Sequence, residues 1–391
     1  MMRPRIDPTD EMICLGQEED VVSQGGALSP PIVQTSLFAH ETLEDLRTGL
    51  AHENRHHVYT RGQNPTVEAV EDKLARLERG EACKAFGSGM AAVSAVLLGL
   101  LQAGDHILFV NQTYGPTLQL ARHLRRFGVE HDVLLELDLG SLRAGLKENT
   151  RLIWLESPGT MLFRVLDVAG VADLAHQRGI TTAMDNSWAT PLFQKPLTEG
   201  IDLVVHSATK YLAGHSDLVA GALVGSAELM ERIFYNAFLL QGGILAPFDA
   251  WLLNRGMRTL PVRMRRHHEN GLAVARFLEG HSAVRRVFHP GLDPGEESPL
   301  TASLTGFSGL MSLELASEGY ESVRRFVDGL SRFRIGVSWG GVESLVITPN
   351  RGGDDQAREA MGIPGSTVRL SVGLESPEVL IEDLDSALGG I

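Results

Sequence analysis

The segment His206-Ser207-Ala208-Thr209-Lys210 places two hydroxyls and one amine directly after a short apolar run. A lysine at a crowded strand end loses hydration, and this lowers the pKa of its amine. Such an amine can form an imine with a carbonyl compound, while Ser207 and Thr209 could bind phosphate oxygens. A lysine on a surface turn explains the same letters equally well, so the segment alone leaves both interpretations open.

Two other segments carry polar groups at comparable places. Asp185 follows the apolar run 181–184, and Gly87-Ser88-Gly89 precedes the helical residues that begin near Met90. Open α/β sheets bind ligands at the carboxyl ends of their strands, where Asp185 is expected. Glycines before a helix let backbone amides approach an anion. Taken singly, a helix cap or Asx-turn explains Asp185, and a tight turn explains the glycines.

Together these three segments supply what pyridoxal 5'-phosphate requires: an acid beside the pyridine nitrogen, a lysine that forms an imine and a cradle for the phosphate. Tyr114, which follows the apolar run 106–110, could cover the ring. Arg369, within the apolar segment 367–372, could hold a substrate carboxylate through a bidentate contact. A tyrosine of the core or a turn, and a buried ion pair, are the alternatives for these two residues.

A metal site is the competing interpretation. His52-Glu53-Asn54-Arg55-His56 matches the H-E-x-x-H zinc pattern, which places two imidazoles on one face of a helix. The flanking residues are polar, and Gly62 and Pro65 indicate a loop soon afterwards. A polar loop is therefore the favoured interpretation.

Apolar runs alternate with amphipathic helical stretches from Asn64 to about residue 225. This alternation predicts an α/β fold with a mostly parallel sheet that is covered on both faces. The predicted strands are 106–110, 151–155, 181–184, 203–205 and 222–224, and the predicted helices include 91–101, 118–127 and 168–178.

The pattern of alternating strands and helices ends near residue 247. A long helical region, 248–278, precedes segments of alternating polarity at 310–315, 334–338 and 367–372, which predict a smaller α+β domain. We therefore divide the chain into an arm (1–60), a large domain (61–246) and a small C-terminal domain (247–391). The arginines between 255 and 266 are expected on a solvated helix face or a subunit contact.

Composition excludes several classes of protein. The 391 residues include 35 Lys and Arg against 49 Asp and Glu, a formal charge of −14, and an acidic chain is a poor nucleic-acid ligand. Two cysteines, Cys14 and Cys83, cannot form a disulfide framework, which favours the cytoplasm. We expect no signal peptide and no membrane span, because the longest apolar stretch, 91–101, is too short for one.

Longer motifs resemble the Cys/Met-metabolism family of pyridoxal-phosphate enzymes, which have the aminotransferase-like fold type I. The resemblance covers nearly the whole chain. Its carriers are Tyr59-Thr60-Arg61 with Asn64-Pro65-Thr66, Gly87-Ser88-Gly89-Met90, Asp185-Asn186-Ser187-Trp188-Ala189-Thr190-Pro191, Ser207-Ala208-Thr209-Lys210-Tyr211, Gly214-His215-Ser216-Asp217, and Thr367-Val368-Arg369 with Gly373.

The resemblance implies a role for each matching residue. Lys210 would carry the cofactor covalently and move protons, Asp185 would pair with the pyridine nitrogen, and Tyr114 would stack on the ring and assist Lys210. The implied phosphate ligands are Gly89, Met90, Ser207 and Thr209, joined by Tyr59 and Arg61 from a neighbouring subunit. Ser338 and Arg369 would hold the substrate carboxylate, with Tyr59 also near the substrate. The family typically forms homotetramers built from two catalytic dimers.

Two segments resemble the cystathionine β-lyases of this family. They are Leu155-Glu156-Ser157-Pro158-Gly159-Thr160 and Ser338-Trp339-Gly340-Gly341-Val342-Glu343-Ser344. The resemblance implies β-elimination on L-cystathionine, and on cystine or related thioethers, to give homocysteine, pyruvate and ammonia. The segment Arg61-Gly62-Gln63-Asn64-Pro65-Thr66 is closer to the general family. A cystathionine γ-synthase, cystathionine γ-lyase or methionine γ-lyase therefore remains an alternative, and a zinc hydrolase built on His52, Glu53 and His56 is a remote one. A noncatalytic binding protein is disfavoured by the complete set of cofactor residues.

Overall fold

The computed structural model describes residues 26–292, 303–353 and 355–391. The first 25 residues of the predicted arm, including Cys14, lie outside this range, whereas Cys83 is a buried free thiol. Two sheets organise the described residues, one of seven strands and one of five. No described helix is long and apolar enough to cross a membrane.

The seven-stranded sheet has the order β1-β7-β6-β5-β4-β2-β3. Strands β6, β5, β4, β2 and β3 run parallel to one another, and β7 is antiparallel to both β1 and β6. The strand bounds are β1 Ala82–Phe86, β2 His106–Val110, β3 Glu130–Leu134, β4 Thr150–Glu156, β5 Thr181–Asp185, β6 Leu203–His206 and β7 Gly221–Gly225.

Helices cover both faces of this sheet, as the sequence predicts. Their bounds are α1 Leu43–Ala51, α2 Pro65–Glu78, α3 Gly89–Leu100, α4 Gly115–Leu124, α5 Leu139–Gly145, α6 Val168–His176, α7 Thr190–Phe193, α8 Ala227–Ile233 and α9 Leu239–Gln241. Short 3-10 turns lie at Arg125–Phe127 and Pro196–Glu199, and a π-helical turn at Phe234–Phe238 joins α8 to α9.

Local sequence explains where the helices beside the cofactor segments begin. The Asn64 side chain accepts a hydrogen bond from the Thr66 amide at 3.0 Å, and Pro65 occupies the first turn of α2. Ser88 caps α3 by accepting from the Ala91 amide at 3.0 Å. These caps are local, so the sequence alone places both helix starts.

The mostly parallel sheet is confirmed, with two additions. Strands β1 and β3 lie outside the predicted set: β3 is half-exposed and carries charged residues, while β1 is a short edge strand. Both form because a neighbouring strand offers hydrogen bonds, which sequence pattern does not reveal. Helix α4 also begins at Gly115 rather than 118, because Pro116 fits its first turn.

The five-stranded sheet has the order β10-β11-β12-β9-β8. Its strands are β8 Val284–Phe288, β9 Leu310–Leu315, β10 Arg334–Ile335, β11 Leu345–Ile347 and β12 Thr367–Ser371. The helices of this part are α10 Pro247–Met257, α11 Leu260–Glu279, α12 Tyr320–Gly329, α13 Gln356–Ala360 and α14 Pro377–Leu388. The predicted helical region 248–278 is thus two helices, with Arg258 and Thr259 between them.

One arginine of the predicted solvated face is buried instead. Arg263 donates to the carbonyls of Tyr211 at 2.6 Å and Gly256 at 2.7 Å. Charge alone predicted a solvated face, and the tertiary structure instead places this guanidinium against backbone carbonyls behind Lys210.

Two buried histidines contact backbone carbonyls of the five-stranded sheet region. His267 lies on α11 and contacts the residue after β12, and His289 directly follows β8 and contacts the turn before β9. His267 Nδ1 lies 2.9 Å from the carbonyl of Val372, and its Nε2 is buried without a partner among the described residues. His289 Nε2 lies 3.2 Å from the carbonyl of Ser308, while its Nδ1 accepts from the Gly291 amide at 3.1 Å. Both contact sets suit a neutral ring, and burial lowers the pKa of each imidazole to about 4.

These histidines predict a loss of stability in mild acid. Because the unfolded chain protonates near pH 6.5 and the folded rings resist protonation to about 4, the free energy of unfolding should fall as pH drops through this window. Urea unfolding of wild type and His289→Asn at several pH values measures it, and the variant should show a shallower dependence. The exposed His123→Gln control should keep the wild-type slope; equal slopes for wild type and His289→Asn would contradict the assignment.

Candidate active site

The carboxyl ends of β5 and β6 face the N-terminus of α3 across a cavity of about 200 Å³. The sequence predicted these groups from separate segments, and the structure brings them together. The predicted residues that line this cavity are Gly89, Met90, Tyr114, Asp185, Ser207, Thr209 and Lys210. Arg369 and Trp339 join Tyr114, Asp185 and Lys210 around an adjoining cavity.

Asp185, the last residue of β5, is held by a serine turn. Its Oδ1 accepts from the Ser187 amide at 2.9 Å, and the Ser187 hydroxyl accepts from the Ser207 amide at 2.6 Å. Burial raises the pKa of the Asp185 carboxyl, and the hydrogen bonds from Ser187 oppose that rise. This half-buried carboxylate forms no ion pair with a described side chain, which suits a ligand that brings a positive charge.

Lys210 follows β6 and points toward the second sheet. Its Nζ donates to the Ser338 hydroxyl at 2.7 Å and lies 5.4 Å from the centre of the Trp339 ring. Burial, and secondarily the charge of Arg369, lower the pKa of the Lys210 amine to about 8. An amine whose pKa lies near neutral pH can act both as a nucleophile and as a proton acceptor, which are the roles that the sequence predicted for this residue.

The loop after β10 is shaped to reach Lys210. Ser338 adopts a left-handed backbone with φ of 78°, which is rare for a side-chain-bearing residue. At Gly340, φ is 85° and a Cβ would come within 2.8 Å of the Tyr211 amide nitrogen. Only glycine allows this loop to approach the backbone beside Lys210 so closely.

Arg369 extends from β12 toward the same point. Its Nη2 donates to the Ser338 carbonyl at 3.2 Å, and no ion pair in the described ranges engages the guanidinium. Burial lowers the pKa of Arg369 to about 10, with Tyr114 and Tyr211 acting in the opposite direction. A guanidinium without an ion pair, at the edge of a cavity, suits a carboxylate ligand that binds through two hydrogen bonds.

The tyrosine predicted to cover a ring is anchored by an acid that sequence reasoning did not assign. The Tyr114 amide donates to Glu156 Oε1 at 2.7 Å, and Glu156 ends β4. Burial, reinforced by Asp185, raises the pKa of Glu156 well above its usual range. Burial also raises the pKa of the Tyr114 hydroxyl, so this group is a hydrogen-bond donor rather than a base near neutral pH.

The N-terminus of α3 forms the opposite wall of the cavity. A Cβ on Gly89 would lie 2.9 Å from the Ser207 hydroxyl, so glycine is required for this contact. The Thr209 hydroxyl donates to the Ala220 carbonyl at 3.1 Å, which occupies its proton. Ser207 is therefore the better-placed hydroxyl donor for an anion at the helix end.

These groups fit pyridoxal phosphate. The amides at the start of α3 and the Ser207 hydroxyl suit a phosphate, the Asp185 carboxylate suits a protonated pyridine nitrogen, and Lys210 suits the aldehyde carbon. Three supporting residues, Glu156, Ser187 and Trp339, went unassigned by sequence reasoning. The sequence offered two signals for these residues: Glu156 and Ser187 lie just after predicted strands, and Trp339 is next to Ser338.

Tyr59 and Arg61 are not among the residues that line these cavities. Tyr59 pairs with Leu37 in an isolated β-bridge, and the Arg61 guanidinium lies 5.5 Å from the Tyr59 ring centre. Both side chains are exposed, so a neighbouring subunit would have to bring them to a cofactor. Their predicted roles stay predictions.

The zinc pattern does not form a helical pair. Residues 52–56 form turns after α1, and the rings of His52 and His56 have centres 6.5 Å apart. Within the described ranges, no group of three or more His, Cys, Asp or Glu side chains could hold a metal ion.

Comparison with known proteins gives a consistent family and mixed activities. The profile of the Cys/Met metabolism PLP-dependent enzyme family matches residues 10–389. The chain is 39% identical over 372 residues to the L-methionine gamma-lyase of Fusobacterium nucleatum subsp. polymorphum, covering 93% of this chain and 94% of the relative. It is 40% identical over 371 residues to a cystathionine beta-lyase of Lactococcus lactis subsp. cremoris (strain MG1363), with the same coverage.

Solved structures agree with the fold. The cystathionine gamma synthase from Xanthomonas oryzae pv. oryzae, in complex with aminoacrylate and cysteine, superposes with a TM-score of 0.90 at 37% identity and 98% coverage of both chains. This likeness confirms the predicted aminotransferase-like fold type I.

Replacing Lys210 tests the centre of the site. The Lys210→Ala protein should lose the visible absorbance of a lysine-bound cofactor, and turnover should fall by roughly a thousandfold or more because base and attachment point are both absent. Absorbance spectra of purified protein measure the first effect. Lys147→Ala, which removes an exposed lysine paired with Asp132 at 2.6 Å, should keep the wild-type spectrum. Retained absorbance or turnover in Lys210→Ala would refute the assignment.

Proposed function

Since the chain belongs to the Cys/Met-metabolism family of pyridoxal-phosphate enzymes, we propose that it is a carbon–sulfur lyase that performs β-elimination on L-cystathionine. Its cofactor is pyridoxal 5'-phosphate. The products would be homocysteine, pyruvate and ammonia, with one water consumed. The observation that carries the proposal is the meeting of Lys210, Asp185, Tyr114 and Arg369 around one site.

The protein groups divide the work of this reaction. When bound, pyridoxal phosphate supplies an electron sink that stabilises negative charge at the substrate Cα. Lys210 Nζ takes the proton from Cα, for which its pKa of about 8 is suitable. Arg369 holds the α-carboxylate, and its contact with the Ser338 carbonyl fixes the guanidinium. The raised pKa of the Tyr114 hydroxyl keeps it protonated, so it does not itself remove the Cα proton.

Two contacts of the Lys210 amine favour β- over γ-chemistry. The Ser338 hydroxyl and the Trp339 ring flank Nζ. β-Elimination requires this amine to move one proton, from Cα, whereas γ-elimination also requires proton removal at Cβ. An amine that these contacts hold at one position therefore suits the β-reaction.

The outer part of the site supports a substrate larger than methionine. A groove of about 700 Å³ runs outward from Lys210 and Arg369 between α4 and residues 347–363. Arg122 on α4 and Arg351 after β11 lie on its walls, and both are exposed. Cystathionine carries a second carboxylate at its far end, which these guanidinium groups could attract, whereas methionine carries only a methyl group there.

The rival is γ-chemistry, as in a cystathionine γ-synthase, cystathionine γ-lyase or methionine γ-lyase. The observation that favours it is the 39% identity to a relative named L-methionine gamma-lyase. For either reaction we propose a cytoplasmic homotetramer of two catalytic dimers, in which the arm carries Tyr59 and Arg61 to the cofactor phosphate of a neighbouring subunit.

Product analysis separates the two reactions. Purified enzyme incubated with L-cystathionine should release pyruvate and homocysteine in equal amounts, because the thiolate leaves from Cβ. Chromatography of the keto acids and thiols measures this. Formation of 2-oxobutyrate and cysteine would establish γ-elimination instead, and methanethiol from methionine would point to a methionine γ-lyase.

The groove arginines predict a selective effect on binding. In Arg122→Ala/Arg351→Ala, the KM for L-cystathionine should rise roughly two- to fivefold, since an exposed ion pair contributes about 0.2–1 kcal/mol. The KM for S-ethyl-L-cysteine, which lacks a second carboxylate, should not change. Steady-state kinetics with both substrates measures the difference, and Arg126→Ala, an exposed arginine outside the groove, is the matched control. An equal rise for both substrates would contradict a distal carboxylate contact.

A further inference from the structure

A buried polar cluster lies directly behind the candidate site. Glu78, the last residue of α2, has no solvent exposure. Its Oε1 accepts from His206 Nε2 at 2.5 Å and from Asn186 Nδ2 at 2.9 Å. His206 also has no solvent exposure. A single carboxylate oxygen therefore joins two other segments of the chain.

Those segments carry the two central groups of the site. Asn186 directly follows Asp185 at the end of β5, and His206 ends β6, four residues before Lys210. The two strands are parallel neighbours, with Asp185 opposite Val205. The bridge through Glu78 thus fixes the end of the Asp185 strand against the end of the Lys210 strand.

Packing alone does not account for this cluster. Glu78 Oε2, His206 Nδ1 and Asn186 Oδ1 are buried without partners among the described residues. Well-packed apolar side chains can hold strands together as well as a buried ion pair does, without the desolvation penalty. What an apolar cluster cannot supply is charge next to Asp185.

The charge of His206 acts on Asp185 in a definite direction. His206 lowers the pKa of the Asp185 carboxyl, against the rise caused by burial. Lys210 acts in the same direction as His206. Asp185 in turn raises the pKa of both Glu156 and Tyr114, and Arg369 lines the same cavity. The 2.5 Å contact between His206 Nε2 and Glu78 Oε1 holds this imidazole in place at the end of β6.

We propose that Glu78 and His206 are positioning residues for Asp185, which hold the end of its strand against the strand of Lys210 and so fix the Asp185 carboxylate beside the cofactor. A less basic Asp185 leaves a shared proton on the pyridine nitrogen, where it strengthens the electron sink. This inference rests on the proposed role of Asp185, and it assigns to Glu78 and His206 no contact with cofactor or substrate.

The test compares Glu78→Gln and His206→Gln holoenzymes loaded with cofactor that is ¹⁵N-labelled at the pyridine nitrogen. Both variants keep a hydrogen-bonding side chain and lose the titratable group. The ¹⁵N chemical shift should move toward that of a neutral pyridine in both, because the proton shifts toward a more basic Asp185. The dissociation constant of the cofactor, measured by equilibrium dialysis, should rise roughly ten- to a hundredfold in both variants. This is the range that the loss of one charge-assisted hydrogen bond would give.

Glu71→Gln is the matched control. Glu71 is another buried acid of α2, paired with Lys84 at 2.8 Å, and it is not among the residues that line the site. This variant should unfold more easily but keep the wild-type ¹⁵N shift. An unchanged shift in His206→Gln, or an equal change in Glu71→Gln, would overturn the proposal. Should Glu78→Gln fail to fold, His206→Gln decides alone.

The result is separable from the proposed reaction. The ¹⁵N shift of the wild-type holoenzyme reports cofactor protonation whichever thioether is cleaved. If the product analysis showed γ-chemistry, the variant shifts would still test Glu78 and His206. A wild-type nitrogen that is neutral throughout would instead refute the assigned role of Asp185, and with it this inference.

Discussion

The hydrogen bond from Lys210 Nζ to the Ser338 hydroxyl connects the reactive amine of one half of the molecule to the other half. Lys210 comes from the seven-stranded sheet, whereas Ser338, Trp339 and Arg369 belong to the part of the chain built on the five-stranded sheet. Neither sheet holds a complete set of groups. The left-handed backbone of Ser338 and the glycine at 340 let this loop approach the backbone beside Lys210. The relative placement of the two sheets therefore determines which groups meet at the site.

Electrostatics at the site follow from burial rather than from net charge. Burial moves the pKa of Lys210 and Arg369 down and that of Asp185 and Glu156 up, so every one of these groups is biased toward its neutral form. Ionic ligands reverse this bias, since each supplies the missing opposite charge. The overall charge of −14 does not attract the carboxylates of an amino-acid substrate, so their binding has to depend on local cations, and Arg369, Arg122 and Arg351 lie along the groove.

Relatives of nearly equal identity carry the names of different activities, which shows how little separates β- from γ-chemistry on this fold. The cofactor machinery is shared, so the outcome depends on where Lys210 can travel and on what holds the far end of the substrate. In this chain those questions fall on Ser338, Trp339 and the groove beside α4. Overall identity does not measure such local features.

The sequence by itself determined the groups that are local in the chain. Capped helix starts, glycines before α3 and polar residues after apolar strands depend on neighbours within a few positions, and this predicted Gly89, Asp185 and Lys210 as a cofactor site and the mostly parallel sheet. Only the tertiary structure decided which distant residues act on them. Ser338 lies 128 positions from Lys210 and Glu78 lies 128 positions from His206, and no local pattern encodes such contacts. The burial that shifts each pKa likewise arises only when the strands and helices pack together.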